Sequence, residues 1–255
     1  MNCSILLLVR TASTRLPDKA LLAINKTPLI LKLIKRISKT ASIKKIIVCT
    51  TKLKSDDKLV ALLQKNNISY YRGETKDILR RLYGATKNYD LNKFIVVEGD
   101  DIFCDPTIIK ETCNLLSKTT NELVLWKNLP FGVSPIGMKT AKLEILVKKS
   151  ITKNAETGWH KLAEESGLFK TSVNVLKDQK LCRPDIRLTV DYLEDFELAK
   201  KIYQNLHNNF SLQDIIEFID NNPDLQKINQ FAQDKWKKNF KQKRSKQVFV
   251  RNKRN

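Results

Sequence analysis

The chain has 255 residues, 42% of them hydrophobic, with only seven glycines and seven prolines; this excludes a largely disordered protein and suffices for one large core or a core with a small appendage. No apolar run approaches the roughly 18 residues of a membrane span, and the apolar start is interrupted by Arg10 too early for a signal peptide, so a cytoplasmic location is expected. The net charge is +20, but residues 235–255 hold ten lysines and arginines and no acids, leaving 37 basic against 27 acidic residues before them.

The first apolar run, 4–9, reads as a buried strand and leads directly into Arg10-x-x-Ser13-x-Arg15-Leu16-Pro17-x-Lys19. Three cations and a hydroxyl at the carboxyl end of a strand form a phosphate-binding layout, and a triphosphate is its natural guest. A helix is expected from about Pro28, with Leu29, Leu33, Ile34 and Ile37 on one face, then a strand at 44–49. The next helix starts after Ser55, with Asp56 and Asp57 in its first turn, where negative charge is favoured.

A strand at 69–71 passes through Arg72-Gly73-Glu74-Thr75-Lys76-Asp77 into a helix at about 76–89, with Ile78, Leu79, Leu82 and Ala85 inward and Arg80 and Arg81 more exposed. Asp77 there is also explained as part of a simple helix start. The strand at 93–98 ends in Gly99-Asp100-Asp101. Hard oxygen ligands at that edge suit magnesium, while aspartates after strands also cap the next helix, so both readings stay open. A strand follows at 123–126. This alternation is βαβ architecture, and right-handed crossovers make the sheet parallel.

After Trp126 the pattern changes to a turn-rich stretch, 129–137, and helices near 140–147 and 156–165. Strands are then expected at 171–176 and 187–190, and helices at about 194–206 and 211–221. The strand beginning at Arg187 ends in Asp191, a second carboxylate that would complete a metal site, while Glu194 and Asp195 belong to a first helical turn. Five scattered cysteines, Cys3, Cys49, Cys104, Cys113 and Cys182, lack the close pairs of zinc or redox motifs, and their odd number suits reduced thiols. A boundary is drawn near 234. The tail 235–255 reads as a solvated basic run, with nucleic acid or an anionic surface as its only other partner.

Residues 9–19, ValArgThrAlaSerThrArgLeuProAspLys, resemble the nucleotide loop of the CTP-dependent sugar-acid nucleotidyltransferases almost position by position. That family includes CMP-Kdo synthetase, acylneuraminate cytidylyltransferase and the spore-coat polysaccharide biosynthesis cytidylyltransferases, the group to which the chain is most similar. Residues 72–83, 97–106 and 183–197 resemble later family blocks in the expected order, so the likeness spans about residues 3–229. It implies an α/β fold with a Rossmann-like, mixed and mostly parallel sheet flanked by helices, of the nucleotide-diphospho-sugar transferase type, carrying a small acceptor-binding insertion. The implied division is a nucleotidyltransferase domain at 1–234, with an acceptor-binding subregion at about 127–180, and the basic tail.

By position, the resemblance implies that Arg10, Ser13, Arg15 and Lys19 face the triphosphate, that Asp100 and Asp191 hold Mg2+, and that Arg72, Gly73 and Asp77 flank the nucleoside. Arg10, Lys19 and Asp100 are the implied catalytic groups. Asp101 stands beside them with either a supporting or a capping role. An acceptor oxygen would attack the α-phosphorus of CTP and release pyrophosphate, with homodimerisation expected by family analogy. No covalent nucleophile is needed, and no serine or cysteine neighbours His160 or His207 in the sequence.

The middle of the chain shows no matching family pattern. Phe131-Gly132-Val133 and Glu156-Thr157-Gly158-Trp159-His160 are local candidates for the acceptor, although Trp159 on a helix is more readily a core residue. Lys127, Lys139 and Arg187 are the cations available to an acceptor carboxylate. Two other classes stay open: a nucleotide-sugar glycosyltransferase, which has no need of the Arg10 to Lys19 loop, and a non-catalytic nucleotide- or polyanion-binding relative, which has no need of two aspartates and Lys19 together.

Overall fold

The apolar run that opens the chain becomes the middle of a sheet. A computed structural model describes residues 3–40, 45–149, 158–207 and 209–244. In it β1 (Ser4–Leu8) is followed by a small hairpin, β2 (Ala23–Ile24) and β3 (Thr27–Pro28), and then by α1 (Leu29–Ile37), β4 (Ile46–Thr51) and α2 (Asp57–Lys65). Next come β5 (Ser69–Gly73), α3 (Ile78–Asn88), β6 (Lys93–Glu98), α4 (Pro106–Lys118), β7 (Leu123–Trp126), β8 (Ile136–Lys139) and α5 (Thr140–Lys149). The last elements are α6 (Trp159–Glu165), β9 (Thr171–Asn174), α7 (Leu193–Asn205), α8 (Leu212–Asp220), α9 (Asp224–Ile228) and α10 (Gln230–Arg244).

Among the described residues seven strands form one sheet in the order β5-β4-β1-β6-β8-β7-β9. All neighbours are parallel except β6 with β8 and β7 with β8. The sheet is therefore mixed and mostly parallel. β1 and β4 are buried on both faces, which is why they read as unbroken apolar runs rather than alternating ones. One face packs on α1 and α4, through Ile30, Leu33 and Ile109, and the other on α3, α5 and α6, through Leu82, Leu143 and Trp159. The C-terminal helices α7 and α8 close a third cluster around Phe103 and Phe210.

Local signals explain the helix starts. The Asp77 side chain accepts the Arg80 amide at 3.0 Å and starts α3. Asp105, followed by Pro106, accepts the Thr107 amide at 2.8 Å and starts α4. Of the two aspartates after β6, neither caps that helix.

Several expectations shift. Lys44, Glu156 and Thr157 lie outside the described residues, as do residues 245–255. Residues 187–190 form no strand: only an isolated bridge joins Phe131 and Arg187, because the segment threads between two loops instead of along a neighbour. β8 begins inside the stretch read as turns and runs two residues past it. Its Gly137 lies so close to α4 that an added Cβ would sit 2.7 Å from Thr112 Cγ2, and this antiparallel strand is what makes the sheet mixed. Cys3 and Cys113 are joined as a disulfide, Cα atoms 5.9 Å apart, correcting the expectation of reduced thiols for that pair; with a sequence separation of 110, spacing gave no sign of it. Arg81, expected to be more exposed, is 2% exposed. Residue 234, where a boundary was expected, lies inside α10.

Candidate active site

β1 is the point where the strand order reverses: α1 carries the chain to β4 on one side, and α3 carries it to β6 on the other. Open α/β sheets bind ligands in the crevice beyond the strand ends at such a point. Here that crevice is a cleft of about 760 Å³. Its floor is the loop after β1 and the turn after β6. The two approach closely: the Gly99 amide donates to Leu8 O at 2.7 Å, and a Cβ on Gly99 would sit 2.5 Å from Val9 Cγ2. Only glycine permits that approach.

The loop 10–19 is anchored from outside itself. Asp56, fully buried, accepts from the Thr11 amide at 2.8 Å and the Thr11 hydroxyl at 2.7 Å, and its other oxygen accepts from the Thr50 hydroxyl at 2.8 Å, the Thr51 amide at 3.0 Å and the Thr51 hydroxyl. Burial opposes the Asp56 charge, but these donors, led by Thr51 and Thr11, hold its carboxyl below the ordinary range. A short 3-10 turn, Lys19–Leu21, then aims Lys19 into the cleft.

The Lys19 ammonium donates to Asp100 Oδ2 and, at 2.8 Å, to Asp191 Oδ1, which the Arg15 guanidinium also meets. Asp100 follows β6, while Asp191 arrives on the threaded segment 186–190, fixed when the Val190 amide donates to Asp100 O at 2.9 Å. Gly132 makes room for that segment. At φ 97° it lies so close to Thr189 that a Cβ would meet the Thr189 amide nitrogen at 2.4 Å.

Behind Asp191 stands a buried bracket. Arg187 donates to Asp191 Oδ2 at 3.3 Å and to both oxygens of Asp195, at 2.8 and 3.0 Å, while Asn229 donates to Asp195 Oδ1 at 2.9 Å. Asp195 Oδ2 in turn accepts the Asp191 and Tyr192 amides at 2.9 and 3.0 Å. Both oxygens of Asp195 are thus occupied, and it orients Asp191 without entering the cleft.

The charges are unequal in consequence. Burial alone would raise the Asp191 carboxyl, but Lys19, Arg15 and Arg187 bring it down to about 2. Burial likewise opposes the Lys19 charge, and the two carboxylates outweigh it and raise the ammonium above its usual range. Glu98, the last residue of β6, accepts the Trp159 indole N–H at 2.7 Å, yet burial and then the neighbouring Asp100 push it up to about 7. Asp101 is pushed well above the carboxylate range by burial, then by Asp100 and Glu98.

Asp100 and Asp191 therefore point at one cation, the Lys19 ammonium. Among the described residues no group of three or more His, Cys, Asp or Glu side chains is placed to hold an ion alone. Two carboxylates completed by substrate phosphates and water are what Mg2+ takes, so the residues present fit that ion.

The structure brings Arg10, Ser13, Arg15, Lys19, Asp100 and Asp191 to one cleft. Arg72, Gly73 and Asp77 do not line it. Arg72 donates to Thr51 O at 2.9 Å and Leu53 O at 2.8 Å and pairs with Asp57 at 2.7 Å, which ties β5 to the end of β4 and the start of α2. Gly73 is buried against Tyr71 and Arg81, and Asp77 caps α3. Ile78 and Arg81 line the cleft from α3 instead; Arg81 donates to Glu74 O and Thr75 O at 2.8 and 2.9 Å. Trp159 is 1% exposed, a core residue as expected, whose indole reaches Glu98. On the other wall stand Phe131, His160 and Lys161, joined by Trp236, Asn239 and Phe240 of α10.

Comparisons with known proteins agree with this geometry. Residues 4–213 match the family model described as cytidylyltransferase. An uncharacterised protein of Methanocaldococcus jannaschii is 30% identical, covering 86% of this chain and 91% of its own. The spore coat polysaccharide biosynthesis protein SpsF of Bacillus subtilis is 23% identical over 84% of this chain and 92% of its own. The solved structure of a cytidylyltransferase from Leptospira borgpetersenii serovar Hardjo-bovis superposes with a TM-score of 0.78 at 26% identity, covering 88% of this chain and 96% of that one.

Proposed function

The chain belongs to the cytidylyltransferase family and is a nucleotidyltransferase; we propose that it transfers CMP from CTP to a sugar acid or related acidic acceptor, in the presence of Mg2+, with release of pyrophosphate. The observation that carries this reading is the convergence of Arg15, Lys19, Asp100 and Asp191 on one point at the carboxyl edge of the central strands. A glycosyltransferase has no use for such a triphosphate loop.

In this reading Arg10, Ser13, Arg15 and Lys19 receive the triphosphate, and Asp100 and Asp191 hold magnesium. Bound there, the ion supplies charge screening and polarisation of the α-phosphate. The protein's share is positioning and fixed charge. Arg187 and Asp195 keep Asp191 facing the cleft, and Asp56 keeps the loop clamped as phosphates are exchanged. The acceptor oxygen attacks the α-phosphorus in line, the bond to pyrophosphate breaks, and Lys19 and Arg15 stabilise the charge gathering on the leaving group.

Arg72, Gly73 and Asp77 belong to the nucleoside side, where they hold the edge of the sheet beside it. The reading keeps the acceptor subregion at about 127–180 within one transferase domain, which α10 carries past residue 234. It places a homodimeric enzyme in the cytoplasm, making a precursor of a surface polysaccharide. No described helix is long and apolar enough to cross a membrane. The test is pyrophosphate release with Mg2+, comparing CTP, UTP, ATP and GTP against a panel of sugar acids. Release confined to CTP is expected; release with another nucleotide in its place, or no nucleotide binding at all, contradicts the reading.

A further inference from the structure

The family match ends at residue 213, yet the cleft is completed by α10, which begins at Gln230. Its inward face is spaced as a helix face must be, with Ala232, Gln233, Trp236, Asn239 and Phe240 turned to the protein and Lys235, Lys237, Lys238 and Lys241 outward or half-exposed. Trp236 stacks on Phe240, ring centres 4.9 Å apart at 23°, and meets the edge of Phe131 at 4.6 Å. The Phe240 ring closes on the start of α6, where a Cβ on Gly158 would sit 3.2 Å from Phe240 Cζ.

Polar contacts fasten the same face to the catalytic bracket. Gln233 Oε1 accepts from Arg187 Nη1 at 2.8 Å, and Asn239 Nδ2 donates to the Tyr192 hydroxyl at 3.1 Å. The helix is therefore seated on the segment that delivers Asp191. It does not hang from the end of the chain as a solvated tail. Trp236, Asn239 and Phe240 also remain half-exposed toward the cleft, opposite the phosphate loop.

We propose that α10 is the acceptor wall of this enzyme: Trp236 and Phe240, with Phe131, form an aromatic platform against which the C–H face of the acceptor's sugar ring packs. An aromatic face offers large contact area and tolerates a hydroxylated ring whose polar edge stays in water or meets Asn239. This element lies beyond residue 213, where the family match ends. The proposal rests on the cytidylyl-transfer reading.

The experiment is a steady-state measurement on the full chain, with Mg2+ and CTP, of pyrophosphate release across a panel of ring-forming and open-chain sugar acids, in wild type, Trp236→Ala, Phe240→Ala and the conservative Trp236→Phe. Circular dichroism and the melting transition verify that each variant is folded. Wild type is expected to use a ring-forming acid. Each alanine variant should raise the acceptor KM about tenfold or more, with the CTP KM within about twofold, and Trp236→Phe should recover most of the loss. An acceptor KM unchanged in both alanine variants, or a CTP KM that rises in parallel, overturns the proposal. So does a wild type that transfers CMP only to open-chain acids or, while binding CTP, to none of the ring acids; both leave cytidylyl transfer standing. A wild type that binds no CTP overturns that reading and this proposal with it.

Discussion

On one side of the cleft charge is held by charge: Lys19 and Arg15 meet Asp191, Arg187 and Asp195 back it, and Asp56 ties the loop to β4, accepting two hydrogen bonds from Thr11 and three from Thr50 and Thr51. On the other side the wall is aromatic, made by Phe131, Trp236 and Phe240, with few ionic ties. The charged side is assembled from residues within or beside continuous motifs and is cross-linked by hydrogen bonds. The aromatic side is gathered from a loop, α6 and the last helix. The two sides lie on separate elements and meet through Arg187, which donates to Gln233 and lies over the Phe131 ring, 5.2 Å from its centre.

The strongest way to break this comparison is to neutralise the charged side. Asp191→Asn and Asp100→Asn are each expected to lower turnover about 10³-fold in a protein that still folds, measured by pyrophosphate release and circular dichroism, with the melting temperature lowered more by Asp191→Asn because Asp191 is the buried partner of Lys19, Arg15 and Arg187. Retained turnover in both would mean that the convergence on Lys19 is structural only.

Next comes the bracket. Asp195→Asn leaves Arg187 buried without its main counter-charge, and breaking a buried pair costs about 3–5 kcal/mol. Urea unfolding should show that loss, and kcat should fall with it because Asp191 is no longer oriented. Stability unchanged within error would show that Asp191 and Gln233 suffice to hold the Arg187 guanidinium.

Asp56→Asn should cost about 2 kcal/mol, the range for hydrogen bonds to a charged group, and raise the CTP KM by loosening Thr11. The sign of its pH dependence follows from the lowered carboxyl. Burial opposes the charge, but the threonine donors and the Thr11 amide outweigh it, so the contribution is complete above the ordinary carboxylate range and is lost as pH falls through the depressed value. The gap in melting temperature between wild type and variant should therefore be constant near neutrality and narrow in acid. A gap that widens toward acid contradicts the clamp.

The smallest effect sharpens the aromatic side. Lys235 pairs with Glu194 at 3.2 Å on the surface of α10, with both side chains more than two-fifths exposed, and Lys235→Ala should change stability by less than about 1 kcal/mol. A larger loss in urea unfolding would mean that α10 is fastened by charge rather than by its rings.

What the sequence made legible follows the same division. The sheet core was readable because β1, β4 and β6 are apolar runs, with Arg10 to Lys19 after β1 and Asp100 after β6; Asp191 was found from the β-prone run 188–190 before it, although that run forms no strand. Arg81 was readable in principle: it shares the spacing of Ile78, Leu82 and Ala85 and lies on the inward face, but its charge argued for solvent. Asp56 was seen only as a first-turn acid, since its link to Thr11 crosses 45 residues and has no local signature. The same holds for Cys3 with Cys113 and for α10, whose lysines mask an inward apolar stripe at 232, 236 and 240. Arg72 and Asp77 show the opposite case: residues in a family-like block whose contacts here are with backbone and helix start.

The most direct measurement of the central claim, that Asp100 and Asp191 form one cation seat beside the phosphate loop, is Mn2+ binding followed by the free-ion electron paramagnetic resonance signal, with CTP present. Asp100→Asn and Asp191→Asn should each weaken Mn2+ binding by about tenfold or more, and Trp236→Ala should leave it as in wild type. Wild-type affinity in both aspartate variants would contradict the account.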